Sequence, residues 1–197
     1  MNKKILEHFK KVDPILYSCA KKVEIYEGND LPDLYSHLCD AIISQQLSEK
    51  AGTTILNRFK ALFPNNIITP EKVQELTVEE IRQAGLSYSK VSYIKDLAQK
   101  IVDKEVELNK LHEMNEDDVI KELTKVKGIG PWTAEMFLMF ALKRDDVFSC
   151  GDLGLKRAIQ KMYGFTKEPT TEEMLKISQK WSPYRTYACR ILWKSLQ

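Results

Sequence analysis

Apolar residues recur at intervals of three and four almost from end to end of this chain, and that spacing limits its fold more than any other feature. In LPDLYSHLCDAIISQQ (Leu31 to Gln46), Leu34, Leu38 and Ile42 form one stripe, flanked by Leu31 and Cys39. In SEKAGTTILNRFKALF, Ala51, Ile55, Phe59 and Leu62 share a side. YSKVSYIKDLAQKIVDK keeps Val91, Ile94, Leu97, Ala98 and Ile101 in phase. PWTAEMFLMFALK is apolar nearly all round, which predicts burial on most sides. Only NNIIT and DVFS hint at extended structure, and both are too short for a sheet. The pattern predicts an all-α protein of about ten helices.

Several helix ends are written in the sequence. Thr77 and Glu80 form a capping box, with Gly85 at the stop. Thr69 caps a helix that opens on Pro70. NEDDVIKELTKV is acidic at its start and basic at its end, as the helix dipole favours. TTEEMLKISQKW and PYRTYACRILWKSL supply the last helices. EVELNKLHEMN is the expected boundary between two lobes.

A chain of 197 residues makes one large domain or two small lobes. Its 30 Lys and Arg nearly balance 28 Asp and Glu, for a net charge of +2. Bulk charge therefore announces no nucleic-acid partner, and any DNA-binding face must come from local arrangement. Cys19, Cys39, Cys150 and Cys189 are too widely spaced for a zinc or iron–sulfur site built on close ligands. They read as buried small hydrophobes. His8, His37 and His112 show no metal spacing. With no leader pattern and no apolar run of membrane length, the expectation is an intracellular protein with reduced thiols.

KVKGIGPWTAEMF, Lys125 to Phe137, raises a sharper question. One helix should end near Lys125, and Pro131 opens the next. Between them, Gly128 and Gly130 allow positive φ or close approach. Such a turn exposes amides beside a helix N-terminus, where an anion such as a DNA phosphate can bind. Alone, the pattern is more commonly that of a tight turn with glycine for packing.

LTKVKGIGPWTAEMF followed by DVFSCGDLGLKRAI resembles the helix-hairpin-helix motif and downstream aspartate loop of the helix-hairpin-helix (HhH-GPD) DNA glycosylases. More narrowly, it is similar to the AlkA-type alkylpurine (3-methyladenine) glycosylases. AIISQQLSEKAGTTILNRF, GLSYSKVSYIKDLA and KWSPYRTYACRILW fit further segments of that family, so the resemblance runs from about Leu31 to the end. It implies a single glycosylase domain over 1–197, two-lobed, with the hairpin at about 117–142 and a DNA cleft between the lobes. The expectation is a glycosylase domain without the extra N-terminal domain that some AlkA-type proteins carry.

The resemblance also implies roles. Asp152, 22 residues after Gly130, matches the catalytic carboxylate; read by itself it is an N-cap. Trp132 and Trp193 match base-pocket positions, whereas Trp181 reads as core. Met136 and Leu153 stand where the family often has aromatics. Gln46, with Leu47 and Ser48 beside it, matches the residue that plugs the gap left by a flipped base; Ser48 also reads as an N-cap. The Gly128 and Gly130 amides with Thr133 match the phosphate grip, and Ser89, Lys90 and Lys156 are candidates for further DNA contacts, although a lone lysine is more often on a solvated face. Main-chain carbonyls of Thr124, Val126 and Ile129 match a site for Na+ or K+; no redox or organic cofactor is implied. Bifunctional relatives carry a lysine where this chain has Trp132, so hydrolysis without strand cleavage is expected. The implied partner is double-stranded DNA with alkylated bases, bound by a monomer. The alternatives are a non-catalytic hairpin module that only grips DNA, or a glycosylase for another lesion.

Overall fold

The computed structural model describes residues 2–25 and 33–196. Among them there are twelve α-helices, two 3-10 turns and no strand. No helix among the described residues is long and apolar enough to cross a membrane. The chain divides into two compact units: Met1–Asp30 joined by Lys143–Gln197, and Leu31–Leu142.

The Leu31–Leu142 unit holds α3 (Leu34–Ser44), α4 (Glu49–Lys60), α5 (Pro70–Glu75), α6 (Val78–Gln83), α7 (Tyr88–Val102), α8 (Glu116–Leu123) and α9 (Pro131–Phe140). Leu38, Ile42, Phe59, Ile94, Leu97 and Phe137 are its fully buried centre. The longest helix, α7, packs against α3, α5 and α6. Its Lys95 ammonium binds the Gln74 and Leu76 carbonyls at the end of α5. Ends form as their residues dictate: Thr69 caps α5, the Thr77–Glu80 box opens α6, and Gly85 at φ +103° leads out of it. Leu31 lies outside the described residues, so α3 is seen from Leu34.

One sequence expectation needs correction. EVELNKLHEMN is no lobe boundary: it lies inside this unit, with Val106 and Leu111 buried in its core. The helix before the glycine turn ends at Leu123, with Thr124 as C-cap, near Lys125 as expected. NNIIT begins inside the 3-10 turn at Pro64–Asn66 and continues extended at Ile67, and DVFS is irregular; neither forms a strand, as their length implied.

The other unit is built from both chain ends. It contains α1 (Lys3–Val12), α2 (Pro14–Ala20), α10 (Leu153–Tyr163), α11 (Thr171–Gln179) and α12 (Arg185–Lys194). The first two helices carry clear signals outside the apolar stripes. Asn2 caps α1, Ile5 and Phe9 are its buried i, i+4 pair, and Asp13 caps α2 ahead of Pro14. Asp13 is also the buried knot of the unit. Its Oδ2 accepts from Tyr163 Oη at 2.6 Å and from Trp181 Nε1 at 2.9 Å. Trp181 is fully buried, as expected. Cys39 and Cys189 are fully buried too, while Cys19 and Cys150 are partly exposed.

Candidate nucleic-acid interface and active site

In the Leu31–Leu142 unit, the turn between α8 and α9 is held from α7. Asp96 accepts the Lys127 amide at 2.8 Å, and the Lys127 ammonium lies 3.5 Å from the same carboxylate. Gly128 sits at φ +80°, and a Cβ there would overlap the ring of Tyr93. This glycine is therefore required by packing and backbone alike. Gly130 is different. It has an ordinary φ of −95°, and a Cβ on it would meet nothing within 4 Å. Nothing in the protein demands glycine there. As N-cap of α9 it supplies no side-chain cap to the first-turn amides, and Pro131 has no N–H to satisfy. The arrangement leaves a bare helix entry at the positive end of a helix dipole. Thr133, in the first turn of α9, is buried.

A cavity of about 630 Å³ opens beside this turn. Gln46, Leu47, Gly128, Trp132, Thr133 and Met136 all line it, so six sequence-predicted site residues meet at one place. Ala41, Ser44 and Gln45 complete the wall. Trp132, in the exposed first turn of an otherwise largely buried α9, is 48% exposed. Gln46 takes a left-handed φ of +58°, and Ser48 caps α4 by accepting the Ala51 amide at 3.4 Å. The capping reading of Ser48 holds.

Ser89 is exposed in the first turn of α7. Lys90, expected as a DNA contact, is instead used inside the unit, where its ammonium donates to the Ile43 and Gln45 carbonyls at 2.8 Å each. Burial holds its pKa below the usual lysine value. Thr124, Val126 and Ile129 follow the end of α8, with the Val126 and Ile129 side chains buried. The Val126 carbonyl accepts the Ile129 amide at 3.1 Å.

The unit formed by the chain ends carries Asp152. It is 8% exposed and caps α10, its Oδ1 accepting from the Leu155 amide at 2.7 Å. The same oxygen accepts from Trp193 Nε1 at 2.9 Å. Trp193 therefore touches the carboxylate through its nitrogen. Gly154 lies against this pair: a Cβ there would stand 3.0 Å from Asp152 Oδ1 and 3.2 Å from the indole. Leu153 is 63% exposed, and Lys156 forms an ion pair with Glu168 at 3.5 Å.

The segment leading to Asp152 is stitched to α12. Asp146 accepts from Ser182 Oγ, from the Arg185 amide and twice from its guanidinium. Burial pushes the Asp146 carboxyl up, but the Arg185 and Ser182 hydrogen bonds outweigh it and hold the pKa below 3.8. Thr186 Oγ1 donates to the Arg144 carbonyl and accepts the Val147 amide. One helix thus fixes the aspartate segment at its start, middle and end. The periodic pattern of α12 gives no sign of this; Gly154, two residues after Asp152, is the visible clue.

Comparison with known proteins agrees with the geometry. Residues 39–183 match the model of the HhH-GPD superfamily of base excision DNA repair proteins. DNA-3-methyladenine glycosylase 1 of Schizosaccharomyces pombe is 36% identical over 163 residues, spanning 82% of this chain and 72% of the relative. A DNA-3-methyladenine glycosidase of Bacillus halodurans superposes with TM-score 0.86 at 32% identity, over 98% of this chain and 89% of that one. The S. pombe 3-methyladenine DNA glycosylase solved with abasic DNA also gives TM-score 0.86, at 33% identity, over 98% and 96%. The chain belongs to the HhH-GPD superfamily of base excision DNA glycosylases.

Proposed function

We infer that this protein is a monofunctional DNA glycosylase that hydrolyses the N-glycosidic bond of alkylated purines, of the 3-methyladenine type, in base excision repair. The observation that carries the reading is the buried Asp152 carboxylate, oriented by the Leu155 amide and the Trp193 indole. A module that only grips DNA has no need of an oriented buried acid.

The chemistry follows from the residues. A base within a duplex must be flipped out before its bond can be reached. Leu47 and Gln46 fill the gap, while the bare entry of α9 holds a phosphate. The exposed indole face of Trp132 offers the extruded base a stacking surface, and its electron-rich ring favours a base that carries positive charge. The bond from the sugar C1′ to the base nitrogen breaks with its electrons going to the cationic base, which leaves neutral. Asp152 stabilises the oxocarbenium-like sugar and orients water. Water adds to C1′, and its proton passes to solvent. Trp132 cannot form the Schiff base that a lysine could, so the strand stays intact.

The carbonyls of Thr124, Val126 and Ile129 are hard oxygen donors just past the negative end of α8. They suit Na+ or K+, which would add positive charge near the bound phosphate. The protein acts as a monomer on double-stranded DNA.

The test is alkylated DNA with chromatography of the released bases, and a gel run with and without alkali. Wild type should release 3-methyladenine or 7-methylguanine and leave sites that break only in alkali. Asp152→Asn should lower release by at least about 10²-fold, the order seen for a lost electrostatic stabiliser, with DNA binding retained. Intact binding without release by wild type would leave only a DNA-gripping module.

A further inference from the structure

The loop that carries Gln46 and Leu47 is fastened to the glycine turn. Gln45 Nε2 donates to the Gly128 carbonyl at 2.8 Å. The Gln45 carbonyl in turn accepts from Lys90, together with that of Ile43. Lys90 stands one helical turn from Tyr93, whose ring lies against Gly128. The connection is therefore a closed circuit from α7 to the end of α3, across to the glycine turn, and back to α7.

Two features suggest that this circuit does more than cap a helix. The peptide joining Gly128 to Ile129 is held at both ends, its carbonyl by Gln45 and its N–H by the Val126 carbonyl at 3.1 Å. That fixes the backbone immediately before the Gly130 entry. On the other side, Gln46 keeps a left-handed φ of +58°, which a non-glycine residue holds only where its surroundings impose it. Gln45 and Lys90 impose it from one flank, and the Ser48 cap from the other.

We propose that Gln45 and Lys90 are positioning residues that set the register between the wedge at Gln46–Leu47 and the phosphate anchor at Gly130. A wedge must enter the base stack at one step relative to the phosphate being held, and displacements near 1 Å already cost catalysis. The circuit supplies that spacing from within one unit of the protein. The inference rests on the glycosylase reading above.

The experiment uses the full chain with Gln45→Glu, Gln45→Met and Lys90→Met. Gln45→Glu keeps the shape but turns a donor into a carboxylate that repels the Gly128 carbonyl. Gln45→Met keeps the length without polar atoms, so the test stays decisive should the carboxylate variant fold poorly. The first readout is the fluorescence of 2-aminopurine beside a tetrahydrofuran abasic analogue in a short duplex, which reports wedge insertion. The second is single-turnover release of 7-methylguanine. The third is affinity for undamaged duplex, which phosphate contacts dominate.

Insertion and release should fall roughly tenfold in the Gln45 variants and in Lys90→Met, as for a lost hydrogen bond that leaves its partner unsatisfied. Undamaged-duplex affinity should stay within about twofold. Wild-type insertion in Gln45→Met and Lys90→Met overturns the proposal. So does a loss of undamaged-duplex affinity by the same factor, because the circuit would then serve the grip and not the register. A wild type that releases no base would count against the glycosylase reading alone, since the fluorescence arm needs no chemistry.

Discussion

Gly128 and Gly130 stand two residues apart and invite the same explanation, yet an alanine at each should do opposite things. At Gly128 the backbone is left-handed at φ +80°, and a methyl group would enter the Tyr93 ring. The left-handed conformation costs a non-glycine residue about 1–2 kcal/mol. Forcing a group into a packed site adds roughly 1–3 kcal/mol. Gly128→Ala should therefore destabilise the protein by about 2–5 kcal/mol, with Tyr93 or the turn shifting to relieve it. At Gly130 the φ of −95° suits any residue, and the added methyl meets nothing within 4 Å. Gly130→Ala should be neutral or gain about 0.4–1 kcal/mol by restricting the unfolded chain. Its cost should appear only with DNA, where the methyl stands in front of the amides that a phosphate would approach. Hydrogen bonds to a charged group are worth about 1.5–3 kcal/mol, so losing one predicts roughly a ten- to hundredfold weaker complex. Urea denaturation measures the first effect, and fluorescence anisotropy with a labelled duplex the second. A Gly130→Ala protein that binds duplex like wild type, or that loses as much stability as Gly128→Ala, would refute this division of labour.

Two further outcomes follow from the aspartate segment. Gly154→Ala should cut base release about tenfold or more with little loss of DNA affinity, because its Cβ would press on the Asp152–Trp193 hydrogen bond; equal single-turnover rates would show that this bond does not position the acid. Asp146 has a folded-state pKa below its ordinary 3.8, so its contribution to stability is present above that value and is lost as pH falls through the lower one. Thermal melts of wild type from neutral pH to about pH 3 should lose more stability than those of Asp146→Asn, and parallel curves would count against the Arg185 pairing as its cause.

Much of this is legible in the chain because it is local. The Thr77–Glu80 box, the Thr69 cap and the glycine exit at Gly85 depend on neighbours within a turn, and all three form where the sequence puts them. The stripe through Leu38 and Ile42 marks the buried face of α3 in the same way. What escapes depends on residues far apart in sequence. Tyr93 decides why Gly128 is glycine, and nothing adjacent to Gly128 reveals it. Lys90 resembles a surface lysine because lysines usually are; the carbonyls that claim its ammonium lie at the end of α3. The unit built from both chain ends is hidden for the same reason, since the Asp13 contacts to Tyr163 and Trp181 cross most of the chain.

Asp152 shows how the ordinary and the functional readings of one residue can require each other. An N-cap aspartate must place an oxygen on the first-turn amides, which fixes its rotamer. Here Oδ1 takes the Leu155 amide and the Trp193 N–H together, so the carboxylate is clamped from its own helix and from α12. A catalytic carboxylate needs that rigidity, because an anion that wanders stabilises a developing cation less than one already in place. Replacing the acid by asparagine keeps an oxygen for both donors, removes the charge and turns the second oxygen into an NH2 donor. On the proposed catalytic role, the cap is the means by which the acid would be positioned, and loss of release with the fold intact is the result that would separate the two roles.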